Sequence, residues 1–147
     1  MTFKASTGLR NTLLTDDSFA GVMSSAKLRI YSGPVPATAD AVLSGATLLV
    51  EISDDDTGTA LSFETSAVDG ALSKLSSQVW SGTCEASGTA SFYRLVNDAD
   101  DGTESTTAPR VQGSIGVAGA DMNISNPTLV ALALQPVDYF SVALPTL

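Results

Sequence analysis

Two acidic runs, Asp54-Asp55-Asp56 and Asp98-Ala99-Asp100-Asp101, and one cysteine, Cys84, are the residues whose types and spacing invite chemistry. Paired carboxylates can serve as general acid and base when the surroundings raise one pKa and leave the other low. Both runs sit beside Gly and Thr, a composition that reads as solvated loop, and nothing near them in sequence would raise one carboxyl. A carboxylate hydrolase would need two of these groups to converge in one pocket. Asn97-Asp98-Ala99-Asp100-Asp101-Gly102 resembles a calcium loop. Placing Gly102 at the sixth position, however, puts Ala99 where an oxygen ligand is required. A looser oxygen cage for Ca²⁺ stays open as an alternative.

Histidine is absent. Its absence removes Ser-His-Asp and Cys-His catalysis and every histidine-containing zinc site. Cys84 has no second cysteine to pair with and no Lys or Arg close in sequence, so it reads as small apolar filler in a strand. Asn123-Ile124-Ser125 matches a glycosylation sequon, read as coincidence without a secretory leader. No glycine-rich phosphate loop precedes a helix. The chain is therefore expected to be no enzyme, with no catalytic, cofactor-binding or metal residues and no cofactor.

The elements that would position any site are mostly strands. From Lys27 onward the apolar period is two: Leu28 and Ile30 alternate with Arg29 and Tyr31 before Ser32-Gly33-Pro34 turns the chain. A possible turn of helix lies at Asp40–Leu43. Leu48, Val50 and Ile52 are predicted on one face, opposite Thr47, Leu49 and Glu51. Leu61 and Phe63 form a short strand, and Ala71–Leu75 is ambiguous. Gln78–Glu85 and Thr89–Val96 read as a hairpin about Ala86-Ser87-Gly88, with Tyr93 and Leu95 opposite Phe92, Arg94 and Val96. Val111, Gly113, Ile115 and Val117 alternate. Thr128–Leu134 reads as a strand buried on both faces. Tyr139–Leu144 is the last strand, ended by Pro145, with Phe140, Val142 and Leu144 facing inward.

About eight or nine strands with no long helical pattern predict an all-β fold, a single β-sandwich or barrel of jelly-roll or immunoglobulin-like size. Residues 1–25 are different. Leu9 and Leu13 recur at helical spacing, and Asp16, Asp17 or Ser18 can cap a second short turn through Phe19, Val22 and Met23. They predict a short N-terminal helical arm, 1–25, that packs on a neighbour rather than on the β-sandwich domain, 26–147.

With 147 residues the chain can bury a self-sufficient core of about 68–70% of its unfolded surface. Charged residues are 16% and mean hydropathy is +0.20, so the surface is covered largely by Ser, Thr, Gly and Ala. A net charge of −9 excludes nucleic-acid binding through a broad basic footprint. The seven basic residues, Lys4, Arg10, Lys27, Arg29, Lys74, Arg94 and Arg110, are scattered and form no polybasic membrane patch in sequence. The first residues lack the apolar core of a signal peptide, and no apolar run approaches the ~20 residues of a membrane span. Synthesis in the cytosol and no membrane partner are expected.

Three stretches carry a resemblance. They are Leu28-Arg29-Ile30-Tyr31-Ser32-Gly33-Pro34-Val35-Pro36-Ala37-Thr38-Ala39-Asp40-Ala41 with Gly45-Ala46-Thr47-Leu48-Leu49; Trp80-Ser81-Gly82-Thr83 running into Ala86-Ser87-Gly88-Thr89-Ala90-Ser91-Phe92-Tyr93-Arg94; and Asp138-Tyr139-Phe140-Ser141-Val142-Ala143-Leu144-Pro145. Together they resemble small structural proteins of tailed bacteriophages, over most of residues 5–147. The resemblance implies a non-enzymatic, multi-copy virion protein, assembled in the bacterial cytoplasm, at the head surface, the neck or collar, or the tail. Its implied partners are other copies of itself and the major capsid, portal or tail proteins. The group has no active-site motif to carry over. The rival from another class is a carbohydrate-binding or adhesin module that displays Trp80 or a tyrosine, with Ca²⁺ held in the acidic loop.

Because period-two alternation covers most of residues 27–144, the far-UV circular dichroism spectrum should be β-dominated. A helix-dominated spectrum would contradict the fold assignment.

Overall fold

The structure, a computed structural model, describes residues 3–144. The fold is all-β with two short helices near the N-terminus. In chain order the elements are β1 (Lys4–Ala5), α1 (Thr7–Thr15), α2 (Phe19–Val22), β2 (Ala26–Ser32), β3 (Thr47–Asp54), β4 (Ala71–Ser73), β5 (Trp80–Thr83), β6 (Gly88–Thr89), β7 (Phe92–Asn97), β8 (Arg110–Gly116), β9 (Met122–Asn123), β10 (Thr128–Leu129), β11 (Leu134–Pro136) and β12 (Ser141–Ala143). The main sheet runs β1-β8-β7-β2-β3-β5-β11, with β9 added in parallel to β8. Two antiparallel ribbons, β6–β10 and β4–β12, complete the strands.

Alternation in the central strands assigns the two faces of the sheet. Leu28 and Ile30 of β2 pair with Leu95 and Tyr93 of β7, which pair in turn with Val111 and Gly113 of β8. This face is the core. It is covered by Leu61, Phe63, Phe140 and Val142 and by Leu9 and Met23 from the N-terminal segment. Its centre is aromatic. Trp80 meets Phe63 edge-on at 5.6 Å and Phe140 at 5.5 Å, and Phe140 meets Tyr93 at 5.6 Å. Gly113 makes this packing possible, because a Cβ there would lie 2.6 Å from the Tyr93 ring.

The N-terminal segment is built into this body, which corrects the expected arm on a neighbour. Ser6 caps α1 by accepting from the Leu9 amide, and Ser18 caps α2 through the Gly21 amide. Lys4 and Ala5 pair with Gln112 and Val111, so β1 extends the sheet before the helices begin. Gly8 weakens α1 as an isolated helix, yet any Cβ there would meet the Thr107 carbonyl oxygen at 2.3 Å. The glycine lets the first turn lie against the loop before β8.

Five further expectations change. The hairpin between Gln78–Glu85 and Thr89–Val96 does not form: β5 pairs with β3 and β11, and β7 pairs with β2 and β8. The amides of Glu85 and Ala86 both donate to Leu49 O, which carries the chain across the sheet edge instead of back on itself. In β3 the register slips opposite Ile30 and Tyr31, which pair with Val50 and Leu48. This bulge turns Leu49 into the core beside Val50 and Ile52. Asp40–Leu43 begins with a turn and a bend and continues without regular structure, so the helical turn does not form. Thr128–Leu134 is not a doubly buried strand. Only Leu129 is buried, and Val130, Leu132 and Leu134 are exposed, Leu132 to 87%. The last strand is shorter than expected, with Phe140 and Val142 buried and Leu144 exposed; Pro145 lies outside the described residues.

Phe140→Asp should therefore destabilise by several kcal/mol, on the order of a small domain's whole margin. Leu132→Asn should leave thermal stability unchanged or slightly raised, because Leu132 is exposed and has φ +71°, a backbone region that asparagine tolerates better. Denaturant unfolding of both variants checks the pair.

Candidate functional site

The charged residues that look scattered in sequence meet on the second face of the sheet. Arg29, Arg94 and Gln112 are cross-strand partners on β2, β7 and β8, and Arg110 lies one pleat away on β8, opposite Val96. Arg94, Arg110 and Gln112 are each 1% exposed. Two long segments, residues 33–46 and 98–109, fold over them. Arg110 Nε and Nη2 donate to the Asp100 carboxylate at 2.6 and 3.1 Å, and Nη2 also reaches Thr103 O at 2.7 Å. Arg94 Nη2 donates to Ala41 O and Thr38 O, while Arg94 Nε holds Gln112 Oε1 at 2.9 Å. Gln112 Nε2 donates to Pro36 O at 2.7 Å. Arg29 pairs with Glu51 at 2.7 Å and donates to the Asp100 and Asp98 carbonyls. Lys27 reaches Asp98 at 3.2 Å.

This layer ties irregular backbone to the sheet. Segments with few backbone partners of their own need donors for their carbonyls, and planar guanidinium forks supply several each. Burial lowers the Arg94 pKa, and the neighbouring charge of Arg110 lowers it further. Arg94 Nη1 is buried without a hydrogen-bond partner. Burial works the same way on Arg29 and is the largest single influence, but the bond to Glu51 and the charges of Glu51, Tyr31 and Asp100 together outweigh it and raise that guanidinium. Tyr31 and Phe92 stack beside the layer with centroids 5.1 Å apart.

The candidate chemical residues are used separately. Asp100 is occupied by Arg110, and Asp101 accepts from the Thr103 amide and hydroxyl. Asp54 Oδ1 accepts from the Val79 amide, and Asp56 accepts from Thr83 Oγ1. Among the described residues, no three of Cys, Asp and Glu converge in a group that could hold a metal ion. Cys84 is buried, and that burial pushes its thiol upward, the opposite of an activated nucleophile. Trp80 is buried and donates to Gln78 Oε1, so it offers no stacking face. Tyr93 is likewise in the core, its phenol pushed up by burial and then by the charge of Asp121.

The molecule also exposes apolar surface. An open groove of about 880 Å³ lies between α1, α2 and the β4–β12 ribbon, lined by Phe3, Leu9, Leu13, Phe19, Leu72 and Val142 among others. Its wall carries Arg10, which has no carboxylate within ion-pair distance among the described residues. Asp17 and Glu64 also line it and accept the amides of Ser18 and Ser76. At the opposite edge of the sheet, Val130, Leu132 and Leu134 protrude from the turn that leads into β11. That turn is clamped: Leu132 N donates to Cys84 O, Cys84 N to Ala133 O, and Ala131 N to Ser87 Oγ. Exposed Glu85 stands next to this clamp. The sequence pattern reveals neither surface as exposed, because an apolar run reads as core.

Comparison with protein-family models, curated proteins and solved structures yields no significant match to this chain.

Removing the charge opposite Arg110 should strand a buried cation. Asp100→Asn is expected to cost about 3–5 kcal/mol in denaturant unfolding, whereas exposed Asp101→Asn should stay near wild type. At Asp40, burial pushes the carboxyl up, but the bonds it accepts from Thr7 Oγ1 and N, at 2.6 and 2.8 Å, together with the charges of Arg10 and Arg110, hold it below its ordinary value. An acid with a lowered folded pKa stabilises fully above its unfolded pKa and loses that contribution as pH falls through the folded one. Stability from Asp40 should therefore hold down to the ordinary carboxylate range and decline below it. Thr7→Ala should reduce that acid-side slope in pH-dependent melting.

Proposed function

We propose that this chain is a non-enzymatic structural protein of a tailed-bacteriophage particle, present in many copies and joined by repeated protein contacts. The sequence resemblance supports the particle assignment. The observation that carries the multi-copy mechanism is the pairing of an apolar groove at the β1 edge with a rigid apolar turn at the β11 edge. Contiguous exposed apolar surface of this kind marks contact sites on soluble domains. The charged groups of the second face are consumed internally, in fastening loops.

The occupant proposed for the groove is the Val130–Leu134 turn of a second copy. Leu132 fits an apolar groove, and Glu85 beside the turn complements Arg10 on the groove wall. Groove and turn lie at different edges of the sheet, so the contact is heterologous, and copies in sequence around a particle axis close it into a ring. Burying each turn side chain contributes about 1.5–3 kcal/mol, against an association cost of at least about 4 kcal/mol. One contact alone is weak, and closure or anchoring on a shell supplies the remainder. Head surface, neck or collar, and tail are all sites where such repetition occurs. Neither nucleic acid nor a membrane is needed as a partner. Among the described residues, no helix is long and apolar enough to cross a membrane. A sugar-binding module built on Trp80 is disfavoured by the burial of that ring.

Two measurements test this. Quantitative mass spectrometry of purified particles should find the chain at a fixed, symmetric multiple of the portal or capsid protein; its absence from particles would refute the assignment. Leu13→Cys combined with Leu132→Cys should give a ladder or closed ring of cross-linked copies on mild oxidation at high protein concentration. Adding Arg10→Glu should suppress the ladder, and adding Glu85→Arg as well should restore it. No ladder from the double-cysteine protein would refute the groove contact.

A further inference from the structure

A second, polar pocket of about 390 Å³ lies between β9 and the connection from β11 to β12. Its walls are rigid. Met122, Ile124, Val137 and Phe140 are buried, and the backbone between them is bonded to the body of the protein. Ile124 N donates to Gly116 O, Val137 N to Trp80 O, and Lys74 N to Phe140 O, at 3.0, 2.8 and 2.9 Å. These anchors turn the intervening residues outward. Tyr139, which with exposed Asp138 separates buried Val137 from buried Phe140, is 76% exposed.

The polar groups around Tyr139 are oriented rather than loose. Asn123 Oδ1 accepts from Ala120 N at 3.1 Å and Asn126 Oδ1 from Thr128 N at 3.0 Å, which leaves each Nδ2 as a donor. Gln135 Nε2 donates to Pro136 O at 2.8 Å, leaving its Oε1 as an acceptor. Asp138 is exposed, with no cation within ion-pair distance among the described residues. Asp121, also in the lining, is held by the Ser114 amide and hydroxyl.

Chemistry narrows the ligand. No Lys or Arg lines the pocket, so a phosphate or carboxylate would meet Asp138 unopposed. One uncommitted carboxylate is too few for a divalent cation, which takes six to eight oxygen ligands. Fixed donors and acceptors around an exposed aromatic ring suit a ligand with adjacent hydroxyls, each able to donate and accept, and an apolar C–H face. We infer that this pocket is a binding subsite for a neutral saccharide, a pyranose stacked on Tyr139 with its hydroxyls bonded to Asn123, Asn126, Gln135 and Asp138. The site is independent of the groove contact and of the particle assignment.

The test is a ¹H–¹⁵N correlation titration of the full chain with methyl glycosides of glucose, mannose, galactose and N-acetylglucosamine at millimolar concentration. Glycerol and inorganic phosphate serve as controls. At least one glycoside should give saturable shifts confined to the amides of residues 121–126 and 135–141. Tyr139→Ala should weaken that binding about tenfold, and Tyr139→Phe should retain it. Because Tyr139 is exposed, both variants keep the wild-type fold, which their spectra report directly. The inference is overturned if no glycoside shifts those amides, if glycerol or phosphate shifts them equally, or if Tyr139→Ala binds as wild type.

Discussion

Three arginines on one face of the sheet hold the architecture together. Arg29, Arg94 and Arg110 stand on adjacent strands and donate to a carboxylate and to carbonyls of two segments that contain almost no regular structure. Without them, residues 33–46 and 98–109 would leave much of their backbone to water. Buried ion pairs are a poor source of net stability but a strong penalty when broken. The layer accordingly imposes one arrangement on the loops more than it strengthens the fold. The opposite face does the stabilising, through an aromatic cluster in which Trp80, Phe140 and Tyr93 meet in sequence.

This division accounts for the surface. Charge is scarce in the chain, and four of the seven basic side chains, Lys27, Arg29, Arg94 and Arg110, are consumed beneath the loops, so apolar and small polar side chains make up much of the outside. Three regions then stand out: the groove beside the N-terminal helices, the Leu132 turn at the far edge, and the Tyr139 pocket. The first two are apolar, and the third is polar and carries oriented amides. A multi-copy particle component with an outward pocket accommodates all three on one domain.

Much of the fold is legible from alternation. The faces of β2, β7 and β8 follow directly from Leu28 and Ile30, from Tyr93 and Leu95, and from Val111 and Ile115. The arginine layer is not legible in that way, because arginine alternating with leucine has the pattern of a solvent-facing strand. The faint signal is Gln112, at an alternate position beside Arg110, together with two long polar segments that need partners for their carbonyls. Thr128–Leu134 misleads for the converse reason: composition cannot separate a buried strand from an apolar turn, and the clamp on Cys84 that exposes Leu132 is tertiary. In the N-terminal segment the stripe of Leu9 and Leu13 is legible, but the pairing of Lys4 and Ala5 with β8 that seats it on its own sheet is not. The Tyr139 pocket is missed because its residues come from two strand connections separated in sequence.

The most direct measurement is an averaged cryo-electron microscopy map of the particle proposed to carry this chain, at a resolution that shows side-chain density. The account predicts copies in sequence around a symmetry axis, with Val130–Leu134 of each seated in the groove beside Leu13 and Phe19 of the next. A map with isolated copies, with that groove facing solvent, or with no density for this fold would contradict it.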